Sequence, residues 1–179
     1  MKSTLDWFRG LTVSWPLIAV LLLTGCGGDE TGERAGAKAE PPENYTAILE
    51  SYFDLAEILT LSDAGAAAGA SEAFAAVLEA SNGASAAFWE DQRAILLERA
   101  QVMAGQDDVE DQRYEFESLS EAMIRVAERY GSPGMAIYVQ RCPMVRGGSA
   151  DWLSRESGIR NPYHGDRMMT CGMTLREIR

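Results

Sequence analysis

Between Tyr138 and Arg179 the chain gathers Cys142, Met144, Met168 and Cys171, with His164, Met169 and Met173 around them; His164 is its only histidine. Thiolate and thioether sulfur select copper(I) and similar soft ions, whereas calcium, magnesium and manganese take oxygen ligands. The spacings C-x-M at 142–144 and M-x-x-C at 168–171 supply that soft set. A tetrahedral structural zinc site wants four Cys or His ligands, and this segment has two cysteines and one histidine. Haem attachment through C-x-x-C-H has no counterpart here, and the two cysteines stand too far apart in sequence for a C-x-x-C redox centre. A structural disulfide between Cys142 and Cys171 is an equal alternative wherever the compartment is oxidising. The two readings assign the methionines differently: a metal site makes Met144, Met168 and Met169 ligands, and a disulfide leaves them as packing residues. Taken by itself, His164 reads as a surface or turn residue.

The elements that must carry these side chains are short. MAIYVQ reads as a strand which, continued through Cys142, places Tyr138, Gln140, Cys142 and Met144 on one face. Pro143 has no N–H to give a central ladder, so the strand is expected at an edge or already ending. Gly147-Gly148 predicts a loop, Trp152 to Ser157 a turn of helix, and Asn161-Pro162 and Gly165-Asp166 turns. The final MMTCGMTLREI alternates Met169, Cys171 and Met173 on one face of a second strand, interrupted by Gly172.

Ahead of this segment the apolar spacing is helical. Tyr45, Ile48, Tyr52, Leu55 and Leu59 recur at steps of three and four, which predicts one buried stripe. An alanine-rich second helix follows a Ser62 or Asp63 cap, carries Phe74, Val77 and Leu78, and is expected to stop at Asn82-Gly83. Phe88, Gln92, Ile95, Arg99 and Val102 mark one face of a third helix, with Leu96 and Met103 beside it. Asp107 or Asp108 caps a fourth that carries Phe116, Leu119, Met123, Val126 and Tyr130 up to Gly131-Ser132-Pro133-Gly134. Met103 and Met123, both on apolar faces, read as core filler. The expected fold is mainly α: an up-down four-helix bundle followed by a small C-terminal strand/loop region with the Cys/Met motifs.

The 179 residues carry a formal charge of −11, which argues against a nucleic-acid partner, whose phosphates demand basic patches. Lys2 and Arg9 lead into the apolar block Leu11–Gly25, too short for a comfortable membrane span and readable as a signal-peptide core. Its end, Leu23-Thr24-Gly25-Cys26, resembles a bacterial lipobox, in which the cysteine is lipidated and becomes the mature N-terminus. Several acyl chains on Cys26, palmitate among them, would hold the protein stably on a membrane, because each buried methylene contributes about 0.8 kcal/mol. Loss of residues 1–25 removes Lys2, Arg9 and Asp6 from 16 basic and 27 acidic residues and leaves a charge of −12. Residues 26–43, rich in Gly, Ala, Glu and Pro, are expected to be a flexible tether. Residues 44–179 are expected to be a single helical domain, with the Cys/Met segment at 134–179. By resemblance to the lipoprotein sorting rule, Gly27 favours the outer membrane, facing the periplasm.

The stretch YVQRCPM, followed by WLSRESGIRNPYHGDRMMTCG, resembles an uncharacterised domain found alone or at the C-terminal end of periplasmic adaptor subunits of heavy-metal efflux pumps. That family's pattern runs YVQ-x-CPM, WLS, IRNPY-x-G-x-x-M-x-x-CG, and it is matched at Cys142, Pro143, Met144, Trp152, Leu153, Asn161, Pro162, Tyr163, Gly165, Met168, Cys171 and Gly172. The resemblance implies copper or heavy-metal handling, with the ion and efflux components as partners and Cys142, Met144, Met168 and Cys171 as ligands. His164 stands where the family is usually aromatic, and Met169 and Met173 stand at positions of other residue types, so these three are accessory. The chain is too short for the hairpin, lipoyl and barrel domains of a full adaptor. No nucleophile–base constellation is recognisable, so no enzyme activity is expected. A non-catalytic structural or interaction module closed by a Cys142–Cys171 disulfide is the other function expected of such a chain.

Overall fold

The computed structural model describes residues 40–81 and 87–179. Cys26, the signal segment and nearly all of the tether lie outside them. Four helices, α1 (Tyr45–Leu59), α2 (Ala64–Glu79), α3 (Ala87–Ala104) and α4 (Val109–Tyr130), precede a three-stranded antiparallel sheet of β1 (Ile137–Val145), β2 (Gly148–Ser154) and β3 (Met173–Ile178). None of the described helices is long and apolar enough to cross a membrane.

The helices form where the apolar spacing predicts them, and their caps are local. Asp63 starts α2 by accepting from the Ala66 N–H at 3.0 Å, and Asp108 starts α4 by accepting from the Glu110 N–H at 2.7 Å. Such side-chain caps satisfy backbone donors that a helix start leaves unpaired. Gly131 ends α4 at a φ of 76°, and its carbonyl accepts the Tyr45 hydroxyl at 2.9 Å. The start of α1 thus meets the end of α4, as an up-down bundle requires. The Asn82-Gly83 stop falls outside the described residues.

The predicted stripe of α1 is buried throughout, as are Phe116, Leu119, Met123, Val126 and Tyr130 of α4. Met103 and Met123 are both core residues, each fully enclosed. The third helix is rotated from its expected face. Its inward stripe is Trp89, Gln92, Leu96, Ala100 and Met103, while Val102 is 39% exposed and Arg99 pairs with Glu98 and Glu115 at the surface. Trp89 decides this orientation: burying an indole and two further large apolar side chains outweighs the more regular Phe88–Ile95–Val102 spacing, at about 1.5–3 kcal/mol for each large side chain enclosed.

The sheet departs from expectation in three ways. β1 is the central strand, flanked by β2 and β3, and runs through Pro143 to Val145. Pro143 is tolerated there because pairing to β3 ends at Arg141–Met173, and pairing to β2 shifts by one residue between Cys142 and Val145. A proline without an N–H fits such a bulge. Gly148–Ser154, read partly as helix, is a strand returning from the Arg146-Gly147 turn, with Gly147 at a φ of 96°. The last strand begins only at Met173, so Met169 and Cys171 precede it instead of alternating along it.

Candidate metal centre

Cys142 sits near the end of β1, opposite Ala150 on β2, and is fully buried. Alternation along the strand turns it to the same side as Gln140, whose partner on β2 is Trp152. The bulge after Cys142 breaks that alternation. Met144 does not share the face of Cys142 as expected but stands 55% exposed beyond it. The Met144 carbonyl instead meets the His164 ring Nε2, which joins the bulge to the turn before the 3-10 segment Gly165–Arg167.

The second motif is arranged by a turn. The Cys171 N–H donates to the Met168 carbonyl at 3.0 Å, which closes a four-residue turn and brings the first and last Cα within about 7 Å. The M-x-x-C spacing therefore has a geometric meaning, since it places a thioether and a thiol at the two ends of one β-turn. Met168, Met169 and Cys171 are half-buried, and Met173, the first residue of β3, is 52% exposed.

Gly172 carries this turn to β1. A Cβ there would lie 2.8 Å from the Arg141 carbonyl, closer than a side chain can pack, and 3.1 Å from the Trp152 ring at Cη2. The backbones of residues 141 and 172 thus meet with nothing between them. Cys142 follows the first of these residues and Cys171 precedes the second, so both cysteines flank one close contact. No disulfide joins them in this structure. Arg141, beside Cys142, is committed to Asp151 through bonds of 2.6 and 2.8 Å, which leaves its charge compensated.

Several residues that support this arrangement were not legible as functional from sequence. Asn161 is fully buried and bonds to the backbone of Met169, Cys171, Tyr163 and Gly165. Gln140 donates from Nε2 to the carbonyls of Glu156, Ser157 and Gly158, fastening the loop after β2 over the sheet. Arg113 of α4 is 3% exposed and donates to the carbonyls of Leu59 and Pro162, to Ser62 Oγ and to Glu110. It ties the end of α1 to the Asn161–Tyr163 turn. A signal did exist, because Arg113 lies on the same helical stripe as Phe116 and Ser120, where an unpaired charge would be costly to bury.

Among the described residues no three His, Cys, Asp or Glu side chains come together as a metal-holding group. Beyond two thiols, further coordination here would come from thioethers, a donor set suited to copper(I) and poor for oxygen-seeking ions.

Residues 48–133 match a family model described as a protein of unknown function, DUF3347. The matched span takes in the helices and stops short of β1, so both sulfur motifs lie beyond it. No curated protein and no solved structure gives a significant match to the chain.

Proposed function

We propose, for a chain whose helices carry a DUF3347 domain, that it is a lipid-anchored envelope protein that binds a soft metal ion, copper(I) foremost, and buffers it or delivers it to an efflux system. The observation that supports this reading is the meeting of Arg141 and Gly172, which sets Cys142 and Cys171 beside one contact, with Met168 at the other end of the Cys171 turn. In this reading the two thiolates and Met168 form the primary set. Met144 completes it from the bulge, and His164, Met169 and Met173 are accessory. Ligands with different exposure suit transfer as well as storage: Cys142 is enclosed, whereas Met144 and Met173 face solvent and can take or release an ion first. Anchoring through Cys26 and the tether at 26–43 would keep the site near the membrane surface, on the periplasmic side of the outer membrane.

Titration of reduced protein with copper(I) against a competing chelator tests the proposal. Wild type is expected to compete, and the Cys142→Ser, Cys171→Ser double variant to lose at least a hundredfold in affinity. Unchanged affinity in the variant removes the proposal.

The close contact between residues 141 and 172 also supports a second reading, in which the cysteines close as a disulfide and the bundle serves as a structural or interaction module. Mass measurement on protein from the native envelope separates the two. A deficit of two hydrogens together with no metal uptake favours the disulfide.

A further inference from the structure

The C-terminal segment is tied to itself at one residue. Asn161 Nδ2 donates to the Cys171 carbonyl at 2.7 Å, and its own N–H donates to the Met169 carbonyl at 2.8 Å. Its Oδ1 accepts from the Tyr163 N–H at 2.9 Å, and its carbonyl accepts from the Gly165 N–H at 3.0 Å. The side chain is fully buried, so these bonds are shielded from competition with water. They close residues 161–171 into a loop whose two ends are Asn161 and Cys171. Cys142 needs no such device, because β1 is paired to β2 at that residue. Cys171 lies outside any strand, and among the described bonds its backbone is held by the Met168 turn and the Asn161 amide.

We propose that Asn161 is the positioning residue of the Cys142–Cys171 pair, setting how often the two sulfurs come within common reach. For a bound metal ion this deepens the metal-centre reading and rests on it. For the two thiols alone it stands on the geometry of the loop. Asn161 touches neither sulfur among its described bonds. It acts through the backbone carbonyl of Cys171, and preorganisation of this kind lowers the cost of assembling a site.

The test has a thiol arm and a metal arm, both on the full mature chain with Cys26→Ser so that two thiols remain. In the thiol arm, oxidised glutathione converts the two thiols to one protein disulfide and releases two molecules of reduced glutathione. The equilibrium constant gives the effective concentration of the pair. Asn161→Asp keeps the acceptor for Tyr163 and replaces the donor to Cys171 with a second acceptor, and it is expected to lower that concentration about tenfold, roughly the net worth of one hydrogen bond. Copper(I) affinity should fall by a similar factor. Tyr163→Phe removes a hydroxyl that donates to the Asp151 carbonyl at 2.7 Å and also interacts with Ser120, and it leaves the backbone bonds of Asn161 untouched. It should lower the melting temperature while leaving both readouts in place.

An effective concentration unchanged in Asn161→Asp, whatever its melting temperature, overturns the proposal. A fall in that concentration in a protein whose wild type takes up no copper keeps the positioning role and removes the metal reading. Should Asn161→Asp fail to fold, Asn161→Ser retains an acceptor for the turn and cannot reach Cys171, and the same readouts decide.

Discussion

Replacing Gly165 by alanine strikes the joint between helices and sheet at its tightest point. Gly165 has a φ of 55°, and a Cβ there would overlap Arg113 Nη2 and come within 2.6 Å of Ser62 Oγ and 2.9 Å of the Thr60 carbonyl. Two costs combine. Holding an L-residue in the left-handed region costs about 1–2 kcal/mol. Pushing the buried guanidinium aside breaks its bonds to the Leu59 carbonyl and Ser62 Oγ, at about 1.5–3 kcal/mol for a charge-assisted bond lost in the interior. The sum, about 2.5–5 kcal/mol even if only one of the two bonds is lost, corresponds to a fall in Tm of roughly 5–20 °C for a chain of this size. Gly134→Ala is the control, because Gly134 also has a positive φ, 93°, and a Cβ there would meet nothing within 4 Å. Urea unfolding followed by far-UV circular dichroism gives both values. Gly165→Ala should exceed Gly134→Ala by about 2 kcal/mol or more. Equal costs for the two would refute the reasoning, since the packing against Arg113 would then contribute nothing.

Two further predictions concern the same core. The Tyr52 hydroxyl bonds to Ser120 Oγ at 2.8 Å and accepts from the Leu153 N–H at 3.1 Å, joining α1, α4 and β2; burial pushes its pKa well up. Tyr52→Phe should cost about 1–3 kcal/mol in chemical unfolding and speed amide exchange at Leu153 selectively, because that N–H is left buried and unpaired. Burial, then the charge of Glu121, raises the Glu117 carboxyl above its usual 4.5, partly offset by Arg146. A carboxyl raised in the folded state contributes stability below its unfolded pKa, and that contribution is lost as pH rises through the folded value. Glu117→Gln should therefore be slightly more stable than wild type near pH 7 and indistinguishable below about pH 4, as read from melting temperatures across that range.

The helical half of the fold was legible because its helices write a 3.6-residue period into adjacent residues, and two of them a side-chain cap as well. Asp63 and Asp108 cap where polar residues precede apolar runs, and the stripes of α1 and α4 are buried as spaced. The third helix departs from its spacing in face alone: period fixes spacing, but which of two apolar stripes turns inward is decided by partners distant in sequence. The sheet was harder for the same reason. Pro143 reads as the end of a strand until the bulge opposite β2 and the late start of β3 are known, and both are properties of pairing. At the sulfur site, residue types and spacing were visible from the start, and the M-x-x-C turn follows from local bonds. What holds Cys171 in place was not visible, because Asn161 works through backbone atoms that no motif records.

Arg113 has a consequence for where this chain can be cut. Its guanidinium spans partners from Leu59 to Pro162, on either side of the break after Tyr130. A fragment ending with the fourth helix would leave that cation short of the Pro162 carbonyl and would bare Tyr52 and Phe116, which pack toward Leu153 and Tyr163. The four helices and the sulfur-bearing segment therefore belong to one compact unit, and a ligand held by that segment would stabilise the helices with it.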